Sequence, residues 1–392
     1  MRFDFNNSDW AALFRSRDNG SELFQSLVDN TPVLNLDLGW ALSQGHIADA
    51  PTPTADDGSA TFRIESSKLE AAPLMDLRAP LGESQQMDAE GAEEYVASIP
   101  DFIARGWTET AAQRAYKERM YAQLGNTDRI IANWIEKVLL RGLNSAKSTL
   151  NQIGAQLATK GKADYKGLGA GIYAKLHDAR IPAENFVKAG AKTWTDPACK
   201  ILTQMRKIED NYRDKRGGYS GALTWRMTKN MYVNTFLQNQ EVRDLYASWC
   251  KANYIAYVDG MPITNEQFLQ SFTDIQGISP IEIVTEKERN KTRTTDTMVQ
   301  GWADNIAVLR PAGDMFEFKY ANVLEREMYT KYGAKSIDTT FATMLNGLVT
   351  AMNTTTDNGR LQEWHTDVMM SATPALLSFI NHVIVNTANA GE

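Results

Sequence analysis

Glu363, His365 and Asp367 fall at alternate positions in the stretch EWHTD. On a strand, whose side chains alternate between faces, they would share one side and offer two carboxylates and an imidazole to a metal ion or to proton transfer. Their setting, RLQEWHTDVMMSA, reads as helical, and a helix points the three in different directions, so a solvated helix face is expected. The other histidines, His46, His177 and His382, are isolated in the sequence. GLNSAKST at 142–149 has the Gly, Lys and hydroxyls of a phosphate loop. It lacks the second Gly before Lys147 and follows a helix, so the backbone cradle is not expected. Gly167, Gly169 and Gly171 are wrongly spaced for a dinucleotide fingerprint, and GYSGA at 218–222 misses the nucleophile-elbow pattern by one position. The acid pairs Glu93 with Glu94 and Glu325 with Glu327 read as surface charge, because nothing isolates one acid from its mate. No catalytic set, cofactor or metal site is expected, and the chain reads as a non-enzyme.

The elements that would position such groups belong to a chain of 392 residues, long enough for a sizeable core in two domains or in one with large insertions. With 43% hydrophobic and 23% charged residues it is globular in composition. Cys199 and Cys250 form no CxxC pair, which removes a disulfide framework and a structural zinc site from the expectation. No apolar run approaches the roughly 18 residues of a membrane span, and the N-terminus lacks the basic and apolar regions of a secretion signal. A soluble chain kept in a reducing cytoplasm is expected. A net charge of −7 opposes wrapping by nucleic acid, whose phosphates need clustered Lys and Arg, so any DNA contact is expected to be loose.

Residues 1–58 read as an arm. From Ala60, Thr61, Phe62, Arg63, Ile64 and Glu65 alternate in the manner of a half-buried strand. Pro73, Pro80 and Gly82 then break the pattern, and the acidic stretch GESQQMDAEGAEE at 82–94 has too few large apolar residues to bury a core of its own. This excursion must lie on something else. A helix is predicted from Thr108 to Gly125, and a second over RIIANWIEKVLLRGLNSAK at 129–147, whose apolar face carries Ile131, Trp134, Ile135 and Val138. Residues 151–193 read as irregular. A helix behind Asp196 and Pro197 should stop at Gly217 and Gly218, and another should run from Thr228 to Cys250. Strands are predicted at 281–286, 305–311, 315–321 and 382–388. Helices and strands do not alternate as βαβ units, so the class is α+β.

Four stretches, taken in order, resemble the major capsid proteins of tailed bacteriophages, the HK97 fold and its branch like the phage lambda head protein. They are DRIIANWIEKVLLRGLNSAK with Trp134, Glu136, Leu140 and Gly142; the turn Trp194, Thr195, Asp196, Pro197; GALTWRMTKNMYVNTFLQNQEV at 221–242; and WADNIAVLRPAG at 302–313. The agreement in order covers about residues 60–390, with 151–193 standing outside it.

The resemblance implies an N-terminal arm (1–58), an extended E-loop hairpin (59–107), a peripheral domain with spine helix and sheet (108–220), an axial domain (221–370) and a C-terminal return to the peripheral domain (371–392). Phe62, Ile64, Lys68 and Arg78 would meet a neighbouring subunit, and Ile131, Trp134, Ile135 and Val138 would form the core of the spine helix. Some relatives crosslink a loop Lys to an Asn of the next subunit, and Lys68, alone among residues 1–116, is the candidate here. The implied partners are the chain itself, as hexamers and pentamers closing an icosahedral or prolate head in the virion, assembled in the host bacterial cytoplasm. Separate scaffolding, portal and decoration proteins are implied as well, with packaged dsDNA touched non-specifically and no membrane. The arm is too short for a fused scaffolding domain. The rival readings are an encapsulin-type cargo shell and a soluble enzyme with an unrecognised site.

Overall fold

The computed structural model describes residues 32–33, 36–37, 61–71, 92–99, 101–124, 145, 148–164, 177–258, 260–284, 288–291, 296–299, 301–321, 338–344, 349–357 and 362–390. Nearest the N-terminus, Pro32–Val33 (β1) pairs with Leu36–Asp37 (β2). The alternation of TFRIES gives Thr61–Ser66 (β3), antiparallel to Glu93–Ser98 (β4), with Ile64 opposite Tyr95 and Phe62 opposite Ala97. Those four side chains are buried, so one face of the hairpin lies on the body of its own chain. The other face carries Arg63 and Glu94, 3.8 Å apart and mostly exposed, a pair that adds little stability.

Asp101–Thr110 (β5) runs straight into the helix Ala111–Leu124 (α1). The helix starts three residues later than its sequence signal because 108–110 pair with a distant strand, and Thr110 then caps it. Its Oγ1 accepts from Gln113 N at 3.4 Å while Gln113 Oε1 accepts from Thr110 N at 3.1 Å, a capping box. Residues 148–160 form a further helix (α2), buried almost all round, where the sequence reads as irregular. Lys162–Ala163 (β6) and His177–Asp178 (β7) make a short ribbon behind it. The predicted spine-helix core, Ile131, Trp134, Ile135 and Val138, lies outside the described residues.

A five-stranded sheet holds the main core. Its order is Ile281–Val284 (β10), Leu223–Thr228 (β9), Ile306–Pro311 (β13), Val383–Ala390 (β18) and Phe186–Ala189 (β8). Trp225, Met227, Leu309, Val383 and Val385 face one side, against Ile201–Asp214 (α3), Gln240–Ala252 (α4) and Glu266–Gln276 (α5), whose Leu202, Met205, Tyr246, Phe268 and Phe272 complete a single apolar cluster. The register puts Arg226, Arg310 and His382 on the opposite face, and all three are buried too.

Helix α3 ends as its glycines predict. Gly217 takes φ +62°, Gly218 N donates to Arg213 O at 2.9 Å, and Gly217 N to Asp214 O at 3.1 Å, a Schellman stop. The helix predicted over 228–250 is broken instead. Thr228 closes β9 and its Oγ1 accepts from Met231 N, residues 232–236 wind as one π-turn, and Asn239 recaps the chain at Glu241 N. The aromatic periodicity continues across the break, which hides it from sequence.

The second large sheet is built on Gln362–Leu376 (β17), a 15-residue strand. Val349–Asp357 (β16) lies along one edge, with Asp338–Met344 (β15) beyond it. Along the other edge β5 and Phe316–Ala321 (β14) follow one another end to end. The two-stranded ribbon Glu288–Lys291 (β11) with Asp296–Val299 (β12) is separate. One expectation is corrected here. From Gln362 on, QEWHTDVMMSA is strand, not helix, because strands on both edges satisfy its backbone. The C-terminal strand lies between β13 and β8, while 338–376 joins the sheet of 101–110.

Candidate functional site

On β17, Glu363, His365 and Asp367 do share strand parity, as the alternation requires. A bulge falls within the set, however, with Arg105 and Gly106 of β5 together opposing Asp367. No cluster of three potential metal ligands occurs among the described residues. Cys199 and Cys250 are free and buried, and burial together with Asp196 and Glu241 raises the Cys199 thiol to about 11, which favours its protonated form. The GYSGA loop is pinned by Arg213, whose Nη1 donates to Tyr219 O at 2.8 Å and Gly221 O at 3.1 Å. Ser148 and Thr149 of the phosphate-loop lookalike are helical, and Thr149 Oγ1 donates to Ser145 O. Glycines 167–171, His46 and Arg78 lie outside the described residues.

The polar groups that converge sit instead at the root of the β3–β4 hairpin. The link from β17 to β18 passes through Ser378, at φ 51°, and a 3₁₀ turn, Phe379–Asn381. Asn381 is 1% exposed. Its Nδ2 donates to Ser67 O at 2.8 Å, and its Oδ1 accepts from Leu69 N at 3.0 Å and Arg216 Nε at 3.3 Å. Arg216 O accepts from Ala71 N at 3.0 Å, and its guanidinium lies 3.8 Å from the centre of the Tyr212 ring. On the returning leg, Tyr95 Oη accepts from Leu376 N at 2.9 Å, and its ring meets Phe379 edge-on at 5.1 Å.

Phe62 and Ile64, expected at a neighbouring subunit, are 5% and 4% exposed within this chain; Phe62 packs on Tyr95 and His177. Their apolar character anchors the hairpin to its own body. Lys68 Nζ lies 2.6 Å from Glu70 Oε1 beside the same root. Sequence reasoning missed Asn381, Arg216 and Tyr95. A signal was present in LLSFINHVIV, where Asn381 and His382 interrupt an apolar run and, if buried, need hydrogen-bond partners.

Three of the four stretches that carried the resemblance interlock, the first lying almost wholly outside the described residues. The rings of Trp194 and Trp225 lie 6.4 Å apart, and the Asp304 carboxylate accepts from Thr228 Oγ1 at 2.6 Å and Asn230 Nδ2 at 2.7 Å. Exposed apolar side chains gather in the loop after α4, where Tyr254 is 98% exposed and Val258 and Met261 more than half exposed.

No protein-family model and no curated protein sequence matches the chain. Among solved structures the chain is similar over nearly its whole length to phage capsid proteins. A prophage protein of Escherichia coli CFT073, described as a capsid protein, is 12% identical with 97% of this chain and 99% of that one covered, at a TM-score of 0.44. A chain of the cyanophage A-1(L) capsid asymmetric unit is 11% identical, with 88% and 93% covered and a TM-score of 0.42. A chain of the holo-SrpI encapsulin complex from Synechococcus elongatus PCC 7942 is 9% identical, with 89% and 88% covered and a TM-score of 0.29.

Proposed function

We propose that this chain is the major capsid protein of a tailed bacteriophage, a structural subunit that closes on copies of itself as hexamers and pentamers to form the head around packaged dsDNA. The observation that carries the reading is the interlocking of the capsid-like stretches: Trp194 against Trp225, and Asp304 on Thr228 and Asn230. Segments up to about 110 residues apart in the chain, ordered as in that family, serve one core. The hairpin adds support, being tied down at its root and bearing the acidic, core-poor stretch 82–94 beyond it.

In this reading the sheet of β5, β14, β15, β16 and β17 with α1 is the peripheral domain. The sheet of β8, β9, β10, β13 and β18 with α3, α4 and α5 is the axial domain. The boundaries follow strand pairing rather than the linear division 108–220, 221–370 and 371–392. The arm and the part of the excursion beyond β3 and β4, which includes Arg78, lie on neighbours. A shell of this kind is held by many interfaces that are individually modest, closed by symmetry. Segments that order only on a neighbour keep the free subunit reversible. The net charge of −7 suits a container that holds DNA without gripping it. Scaffolding, portal and decoration proteins are separate chains, and assembly takes place in the host cytoplasm.

The contents of the particle test the reading against a cargo shell. Particles from the native source, treated with nuclease and then opened, should release protected double-stranded DNA of uniform length. Particles filled with one cargo enzyme and no DNA would replace the phage head with an encapsulin-type compartment.

A further inference from the structure

The seven residues from Leu376 to His382 join the two large sheets, and several polar groups on them are engaged with distant parts of the chain. Asn185 Nδ2 donates to Ile380 O at 2.6 Å, Arg216 Nη2 reaches the same carbonyl at 3.3 Å, and His382 Nε2 is 2.8 Å from Ala158 O on α2. Into this junction both legs of the hairpin are fastened. The Asn381 amide takes the Ser67 carbonyl and the Leu69 N–H, the pair of groups that a residue of a parallel neighbouring strand would take. Two residues on, the Arg216 carbonyl takes Ala71 N. Alternate residues 67, 69 and 71 are therefore held along one edge, while Tyr95 holds the returning leg to Leu376.

An extended segment with no strand on that edge among the described residues is served by this substitute, because unpaired backbone groups beside a buried junction are costly. Twenty residues separate Ala71 from Ala92. A connection of that length that starts and ends at one root can reach at most about 33 Å from it, and over such a lever a turn of about 10° amounts to about 6 Å, more than one strand spacing. A contact with a neighbour does not survive such an error at every copy of a closed shell.

We propose that Asn381 and Arg216 are positioning residues for assembly: they fix the direction in which the hairpin leaves the subunit, and thereby the register with which copies meet. This rests on the capsid reading above. The side chains need not touch a neighbour to act in this way.

The test is allelic exchange of Asn381→Leu, which keeps the branched shape and removes all three side-chain hydrogen bonds, and Tyr95→Phe, which releases the other leg and keeps its ring. Both are made in the native source, with particles counted and sized by electron microscopy. Amide exchange at Leu69 and Ala71 in purified subunits reports the root directly. Expected are at least tenfold fewer closed shells of wild-type diameter for Asn381→Leu, with open or off-size particles in their place. Leu69 exchange should be at least tenfold faster, with the far-ultraviolet spectrum unchanged. Should Asn381→Leu fail to fold, Tyr95→Phe decides by the same particle count. Wild-type yield and diameter in both folded variants, or in Tyr95→Phe alone where Asn381→Leu is unfolded, would overturn this inference and leave the capsid reading intact. An absence of shells from the wild type would overturn both.

Discussion

Replacing Glu209 by leucine is expected to destabilise the subunit by about 3–5 kcal/mol, the largest effect of any single polar substitution in the main core. Glu209 sits on α3, 5% exposed. Its Oε1 accepts from Trp225 Nε1 on β9 at 2.5 Å and from Ser279 N at 2.8 Å, while Oε2 accepts from Ser279 Oγ at 2.9 Å. One carboxylate thus joins the helix, a central strand and the turn leading into β10. Leucine fills the space and strands three donors away from water, each costing about 1–3 kcal/mol before relaxation. Glutamine offers a sharper control. Its carbonyl can accept from Trp225 and Ser279 N while its amide donates to the Ser279 hydroxyl, so Glu209→Gln should lose less than about 1.5 kcal/mol. Chemical denaturation of the purified subunit measures both. Equal losses for the two substitutions would show that the hydrogen-bond set does not hold these elements together.

The second large effect is acid lability from two buried histidines. His177 lies between Phe62 and Tyr95, with ring centroids at 5.5 and 5.6 Å, and burial lowers it to about 3 despite the pull of Asp178. His382 is lowered to about 3 by burial, then by Arg310 and Arg226 on the neighbouring strands, against the backbone hydrogen bond to Ala158. Both folded values lie below the unfolded value of 6.5, so the native state keeps both rings neutral while the unfolded chain takes up two protons. The stabilisation is full above pH 6.5 and is lost as pH falls toward 3. The loss is about 1.4 kcal/mol per pH unit for each ring, or about 2.7 for the pair. At pH 5 this amounts to about 4 kcal/mol, a large part of a typical domain's margin of 5–15 kcal/mol. Asp178, held low by Lys162 and Arg180, adds to the loss at the acid end. His177→Phe, which suits the aromatic surroundings, should roughly halve the fall in thermal midpoint between pH 6.5 and 5. An unchanged slope would remove His177 from the account.

The sequence makes legible those elements whose burial pattern is local. TFRIES alternates and is β3; IEIV, IAVLRP and FEFKYA are strands within two residues of their predicted limits; the α3 stop is written in Gly217 and Gly218. What escaped depends on partners distant in the chain. The sequence from Leu361 carries a helical spacing of Leu361, Trp364, Val368 and Met369, yet β5, some 260 residues earlier, and β16 pair with the two edges of 362–376. The fate of Val383–Ala390 was equally hidden, since its run of β-branched residues fits the interior of either sheet. The hairpin root is the plainest case: Asn381 and Ser67 lie 314 positions apart, and nothing in either neighbourhood announces the other. The candidate enzymatic residues failed for the opposite reason. Their local spacing was visible, and among the described ones Asp367 lies opposite a bulge, Cys199 is buried and the loop at Gly221 is held by Arg213.

The most direct test of the central claim is electron microscopy of the protein from its native source, with particle mass by light scattering. Closed polyhedral particles several hundred ångströms across, each built from copies of this 43.8 kDa chain, are the expected result. A discrete species of one to four chains from that source would contradict the shell reading.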